Sequence, residues 1–151
     1  MKQSLLHKLK DTLAGNGLKV THQRLVIFET IDGASNHPSA EQIYDKIRKK
    51  NPSISLGTIY KTLEVFVEKG LINRVNTPKG NMRYDGIMEN HNHLYCLNTN
   101  EILDFKDEKL SEIISDYLKS KKINNFNIKD IRLHITGEKI DIDKKVNFDN
   151  N

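Results

Sequence analysis

The feature that most constrains this chain is a change of hydrophobic period near residue 70, from the 3.6-residue spacing of helices to the alternation of strands. Before it, four apolar helical stripes are separated by strong stops. "SLLHKLKDTLAGNG" puts Leu5, Leu6, Leu9 and Leu13 on one helical face and ends in Gly15 and Gly17. "THQRLVIFETIDGA" starts at the N-cap candidate Thr21, carries Leu25, Phe28 and Ile31 in period, and stops at Gly33. "SAEQIYDKIRKKNP" opens with Ser39 and Gln42 in capping-box spacing and must end before Pro52. "SLGTIYKTLEVFVEKG" begins at Ser55, buries Ile59, Leu63 and Phe66, and ends at Gly70. Two strand-like runs follow, "LINRVN" and "NMRYDG", joined by the turn "TPKG". Helices closed by a small hairpin form a winged helix-turn-helix, predicted over residues 1–84.

Beyond the wing the pattern shortens. "HLYCL" and "EILDF" are strand candidates around the turn "NTN". "DEKLSEIISDYLKSKK" is a helix with Leu110, Ile113, Ile114, Tyr117 and Leu118 apolar, and "DIRLHITGEKI" alternates at Ile131, Leu133 and Ile135. This predicts a small α/β unit over residues 85–140 and an α/β (α+β) class for the whole chain. So few elements leave an apolar edge or face uncovered, which favours pairing with a second copy. Residues 141–151 read as a polar, flexible tail.

Charge divides the chain at the same place. Residues 1–84 carry 14 Lys and Arg against 7 Asp and Glu, a net +7, whereas residues 85–151 carry 10 against 13, a net −3. A basic first half suits a polyanion such as double-stranded DNA, and an acidic second half suits cations or self-association. Cys96 is the only cysteine, which excludes an internal disulfide and an all-cysteine zinc knot within one chain. At 151 residues a core can be buried without such staples. The opening "MKQSLLHKLKDTLAGNG" lacks the apolar centre of a signal peptide, and no run approaches the length of a membrane span, so a cytoplasmic protein is expected.

In a winged helix the third and fourth helices form the reading pair, with the fourth in the major groove. Its exposed face would hold Ser55, Thr58, Tyr60 and Lys61. Lys61 can neutralise a phosphate or reach a guanine, the hydroxyls of Ser55 and Thr58 can bond phosphate, and the Tyr60 ring can lie on a thymine methyl. Arg74 and Arg83, on the wing, are expected backbone contacts. Solvated helix positions of no special function carry the same residue types, and that alternative stays open.

Metal-binding chemistry enters at "HNHLYCLNTNEILD", where His91 and His93 lie on one side of any extended strand. With His37, Asp85 and Asp104 they make three imidazoles and two carboxylates, a donor set suited to Fe(II), Mn(II), Zn(II) or Co(II). The lack of thiolate argues against Cu(I) or a zinc-thiolate site. Taken singly, each has ordinary structural roles, and His7, His22 and His134 lack comparable company.

These segments together resemble the ferric uptake regulator family of bacterial metal-dependent repressors. The likeness runs from "LKVTHQRLVIFETI" through "HPSAEQIYDKI", "SLGTIYKTLEVFVEKGLI", "MRYD" and "HNHLYCL" to "EILDF". It implies a DNA-binding winged helix, a hinge near residue 85, a dimerisation domain, and a regulatory metal site made of His37, Asp85, His91, His93 and Asp104. Aspartates at both 85 and 104 are similar to the peroxide-responsive branch, whereas iron-sensing members typically carry glutamates there. In that branch bound Fe(II) reduces hydrogen peroxide and the oxidant attacks a ligand, with His37 and His91 the family's targets. Fe(II) or Mn(II) is therefore the implied cofactor, with Zn(II) possible in vitro.

The chain departs from the family in three places. The two CxxC pairs that hold a structural zinc in many members are missing: Cys96 is followed by Thr99 where its partner would stand, so no structural zinc is expected. Asn90 and Asn92 occupy the stretch that supplies a further metal site in some members, and His22 stands where proline is usual. An iron-responsive uptake repressor is the main rival within the family. Outside it stand a metalloenzyme using the His/Asp set and a winged-helix regulator that needs no metal.

Overall fold

The computed structural model describes residues 3–87 and 89–148. The chain divides into two compact units, Met1–Met88 and Glu89–Asn151. The division falls three residues after Asp85, so that carboxylate travels with the first unit and not with the residues beyond the wing.

The first unit comprises α1 (Gln3–Gly15), α2 (His22–Asp32), α3 (Ala40–Ile47) and α4 (Leu56–Glu68), followed by β1 (Asn73–Asn76) and β2 (Met82–Asp85). Each helix start after the first is fixed by a side chain that satisfies an orphan backbone donor. Thr21 accepts from the Arg24 N–H, Ser55 accepts from the Thr58 N–H, and Ser39 and Gln42 form the reciprocal box. The apolar stripes meet in one core, where Leu9, Leu13, Ile27, Ile43, Ile59, Leu63 and Phe66 are almost wholly buried. Phe28 packs edge-to-face on Phe66 with ring centroids 5.4 Å apart. The β1–β2 hairpin pairs Asn73 with Asp85 and Asn76 with Met82. Its turn needs Gly80 at φ 78°. Just past β2, a Cβ on Gly86 would stand 3.2 Å from the Ile31 carbonyl, tighter than an ordinary contact, so glycine eases the close passage of the chain against α2.

The second unit holds β3 (Asn92–Cys96), β4 (Ile102–Phe105), α5 (Glu108–Ser120) and β5 (His134–Gly137). The sheet order is β4-β3-β5, with β4 antiparallel to β3 and β5 parallel to it. A parallel neighbour requires a crossover, which α5 supplies, capped by Asp107 accepting from the Leu110 N–H. The alternation at Ile131, Leu133 and Ile135 predicts a strand that starts earlier than the four-residue β5 that forms. Cys96 is buried, and its Sγ donates to Asn98 Oδ1 at 2.9 Å. The polar tail is tethered where it is described: the Phe148 ring stacks on Phe105 with centroids 5.3 Å apart. Residues 149–151 lie outside the described residues. No described helix is long and apolar enough to cross a membrane.

Candidate functional site

In the first unit the loop entering α3 meets the end of β2. His37 and Asp85 are 2% and 4% exposed, and His37 Nε2 stands 3.7 Å from Asp85 Oδ2. That separation is too long for a good hydrogen bond. It is slightly wider than the roughly 3–3.5 Å at which ligands roughly 2.0–2.2 Å from one ion stand apart, so a shared cation would draw the two atoms a little closer. The carboxylate is aimed by its other oxygen: Oδ1 accepts the Ile87 backbone N–H at 2.8 Å.

In the second unit the antiparallel register sets His93 opposite Asp104, so both side chains emerge on one sheet face. Asp104 Oδ1 lies 3.3 Å from Nε2 of His91 and 3.3 Å from Nε2 of His93. The two imidazoles meet edge-on, with centroids 4.6 Å apart. The His91 tautomer follows from its other nitrogen: Nδ1 lies 2.6 Å from the Glu89 carbonyl oxygen, which can only accept. Nδ1 therefore carries a proton, which leaves Nε2 as the atom that can act as a metal ligand. Two imidazole nitrogens and a carboxylate oxygen within 4.8 Å of one another could hold a cation among them. The donor set of imidazole and carboxylate without thiolate fits Fe(II), Mn(II) or Zn(II). Beside it on β5, burial and the neighbouring His93 charge hold the His134 pKa below its ordinary value.

The residues expected to read DNA differ in their exposure and bonding. Ser55 and Lys61 are exposed, Thr58 is half-buried, and Arg74 is exposed on β1. Ser55, expected to bond phosphate, spends its hydroxyl on the cap and also lies 3.0 Å from Thr58 Oγ1. Tyr60 is 40% exposed, and its hydroxyl donates to the Glu41 carboxylate on α3. That bond lowers the Glu41 pKa and raises that of Tyr60. Glu41 escaped the sequence reading because its contact spans two helices and no periodicity announces it. Arg83, expected as a DNA-backbone contact, lies on β2 with its side chain buried: its Nε donates to the His37 carbonyl, and an Nη donates to the Asn36 carbonyl at 2.6 Å.

Comparison with known proteins gives a consistent result. The family model described as the ferric uptake regulator family matches residues 15–136. The peroxide operon regulator of Bacillus subtilis (strain 168) is 33% identical over 144 residues, covering 93% of this chain and 97% of the relative. Among solved structures, a zinc-bound manganese uptake regulator aligns with a TM-score of 0.72 at 27% identity, over 90% of this chain and 99% of that one. The Vibrio cholerae ferric uptake regulator aligns at 0.73 and 29%, over 85% and 98%.

Proposed function

The chain belongs to the ferric uptake regulator family of metal-dependent transcriptional regulators, and from that premise we propose that it is a homodimeric repressor of palindromic operator DNA that releases its operator when peroxide oxidises a histidine of its metal site. One observation carries the reading: each unit by itself gathers an incomplete set of ligands. His37 and Asp85 pair in the first, and His91, His93 and Asp104 cluster in the second. A cation bonded to both sets, Fe(II) or Mn(II), fixes the orientation of the reading head against the dimerisation unit.

In a twofold dimer that orientation sets the spacing of two α4 helices, which must match half-sites about one DNA turn apart. If only ~1% of metal-free dimers hold the right spacing, apparent affinity falls about a hundredfold, or ~2.7 kcal/mol. Metal and operator then strengthen each other's binding by the same coupling energy. Dimerisation is supported by the apolar face of α5, where Ile113 and Tyr117 are 56% and 59% exposed, and by the exposed edge strand β5.

Aspartates at 85 and 104, with a peroxide operon regulator among the relatives, favour peroxide sensing over iron-uptake control. Fe(II) held by these residues would supply the one-electron chemistry that activates hydrogen peroxide, with no net loss of electrons from the metal. In net terms one oxygen enters a ring C–H bond of His37 or His91, the ring gives up two electrons, and the other oxygen leaves as water. The metalloenzyme alternative falls away, since the relatives are regulators and not enzymes. A DNA-binding role accords with a cytoplasmic location.

The test is operator binding by the Fe(II) and Mn(II) forms before and after brief peroxide exposure. Release of the iron form alone, with an added oxygen mass on a peptide containing His37 or His91, is expected. Equal release of both forms, or equal retention, refutes peroxide sensing; metal-independent binding refutes the clamp.

A further inference from the structure

We propose that Arg83 is a positioning residue for the metal site: its guanidinium grips the backbone of Asn36 and His37 and so aims the His37 imidazole at Asp85. The inference rests on the reading of His37 and Asp85 as ligands and adds the group that brings them face to face.

Arg83 and Asp85 are two residues apart on β2, so their side chains leave the same face of the strand. A buried guanidinium persists only where its donors are satisfied. Here Nε serves the His37 carbonyl and an Nη the Asn36 carbonyl. The next residue along the strand completes the seam, since the Tyr84 N–H donates to the Pro38 carbonyl at 3.0 Å. Three successive loop carbonyls are thereby held by two successive strand residues. The loop that carries one ligand and the strand that ends in the other move as a single hydrogen-bonded body.

The loop needs such a grip because of how His37 is held. Its φ is 50°, in the left-handed region that a side chain with a Cβ disfavours. Pro38 follows, and a residue before proline prefers extended backbone. Left alone, the peptide at 37 would relax toward that preference and swing the imidazole away from Asp85. The planar guanidinium can serve two neighbouring carbonyls at once; a lysine ammonium keeps the charge but is a single compact donor group on a flexible stem.

Charge and geometry give opposite expectations, which makes the inference testable. A fixed positive charge beside a cation site opposes metal binding, so if Arg83 acted only through its field, its removal would tighten binding. If it acts by aiming His37, its replacement weakens binding. The experiment titrates the full chain with Mn(II), following free Mn(II) by electron paramagnetic resonance. The proteins are wild type, Arg83→Lys, Arg83→Gln, His37→Ala and the His37→Ala/Arg83→Lys double variant, each checked for native circular dichroism without metal.

Arg83→Lys is expected to weaken Mn(II) binding by about tenfold or more, as loss of a ligand-orienting partner typically does, and Arg83→Gln likewise. In the His37→Ala background Arg83→Lys is expected to cost nothing further, a non-additivity that a merely structural role would not produce. Wild-type affinity in Arg83→Lys, tighter binding in Arg83→Gln, or multiplicative losses in the double variant overturns the proposal. Failure of both Arg83 variants to fold overturns it too, by making Arg83 a residue of the core. Wild-type affinity in His37→Ala is a different failure, which removes the ligand reading itself.

Discussion

Ser55 separates two roles that the sequence had merged. Its hydroxyl accepts the Thr58 N–H at 3.1 Å and so caps α4, the helix proposed to enter the major groove. Ser55→Ala removes that acceptor, and loss of such a cap costs ~1 kcal/mol. If the first unit, of 88 residues, melts as one cooperative unit, this lowers its melting temperature by about 5 °C. Ser55→Asp keeps the cap and complements the helix dipole, so stability is expected to match wild type. It also sets a carboxylate at the end of α4 proposed to face DNA. Two unit charges 4 Å apart repel by ~1 kcal/mol even at the dielectric constant of water. In a dimer the penalty enters twice, so operator affinity should fall about 30-fold, with the loss shrinking as salt rises. Calorimetry reads the first effect and fluorescence anisotropy across a salt series the second. If Ser55→Ala melts with wild type, the cap does not stabilise α4. If Ser55→Asp binds operator as wild type does at low salt, the start of α4 does not face the phosphates, and the assignment of the reading helix fails.

Two further outcomes follow from contacts between distant parts of a unit. Glu41→Gln removes the charged acceptor that raises the Tyr60 pKa, so tyrosinate absorbance should show Tyr60 titrating closer to the ordinary tyrosine value; an unchanged curve refutes the pairing. The same bond depresses the Glu41 pKa, so its stabilising contribution is fully present above the unfolded glutamate pKa and is lost as pH falls through the lower folded value. Phe148→Ala removes an exposed ring stacked on Phe105 and should lower stability by about 1 kcal/mol in urea melts, whereas no change would mean that the tail contributes nothing to the second unit.

What could be read from the sequence and what could not differ by the range of the interaction. Ser39 and Gln42 are three residues apart, Thr21 stands beside its helix, and His91, just ahead of β3, is two residues from His93 on that strand; each signal lies within a turn or a few residues. The ligand candidates were legible for the same reason, as residue types placed at element ends. Their aim was not. Along β2 the alternation that reads a half-buried strand breaks down, because Arg83, Tyr84 and Asp85 are all buried, so no pattern says which way Arg83 turns. Its bond to His37 spans 46 residues, and the left-handed His37 has no signature in a sequence where proline follows. Phe148, a lone aromatic in a polar tail, is illegible in the same way. Chemistry of this kind is therefore announced by local residue choice, while its precision depends on long-range hydrogen bonds that single-sequence periodicity cannot carry. A variant such as Arg83→Lys, conservative on the page, is for that reason the one expected to uncouple an intact ligand list from a working site.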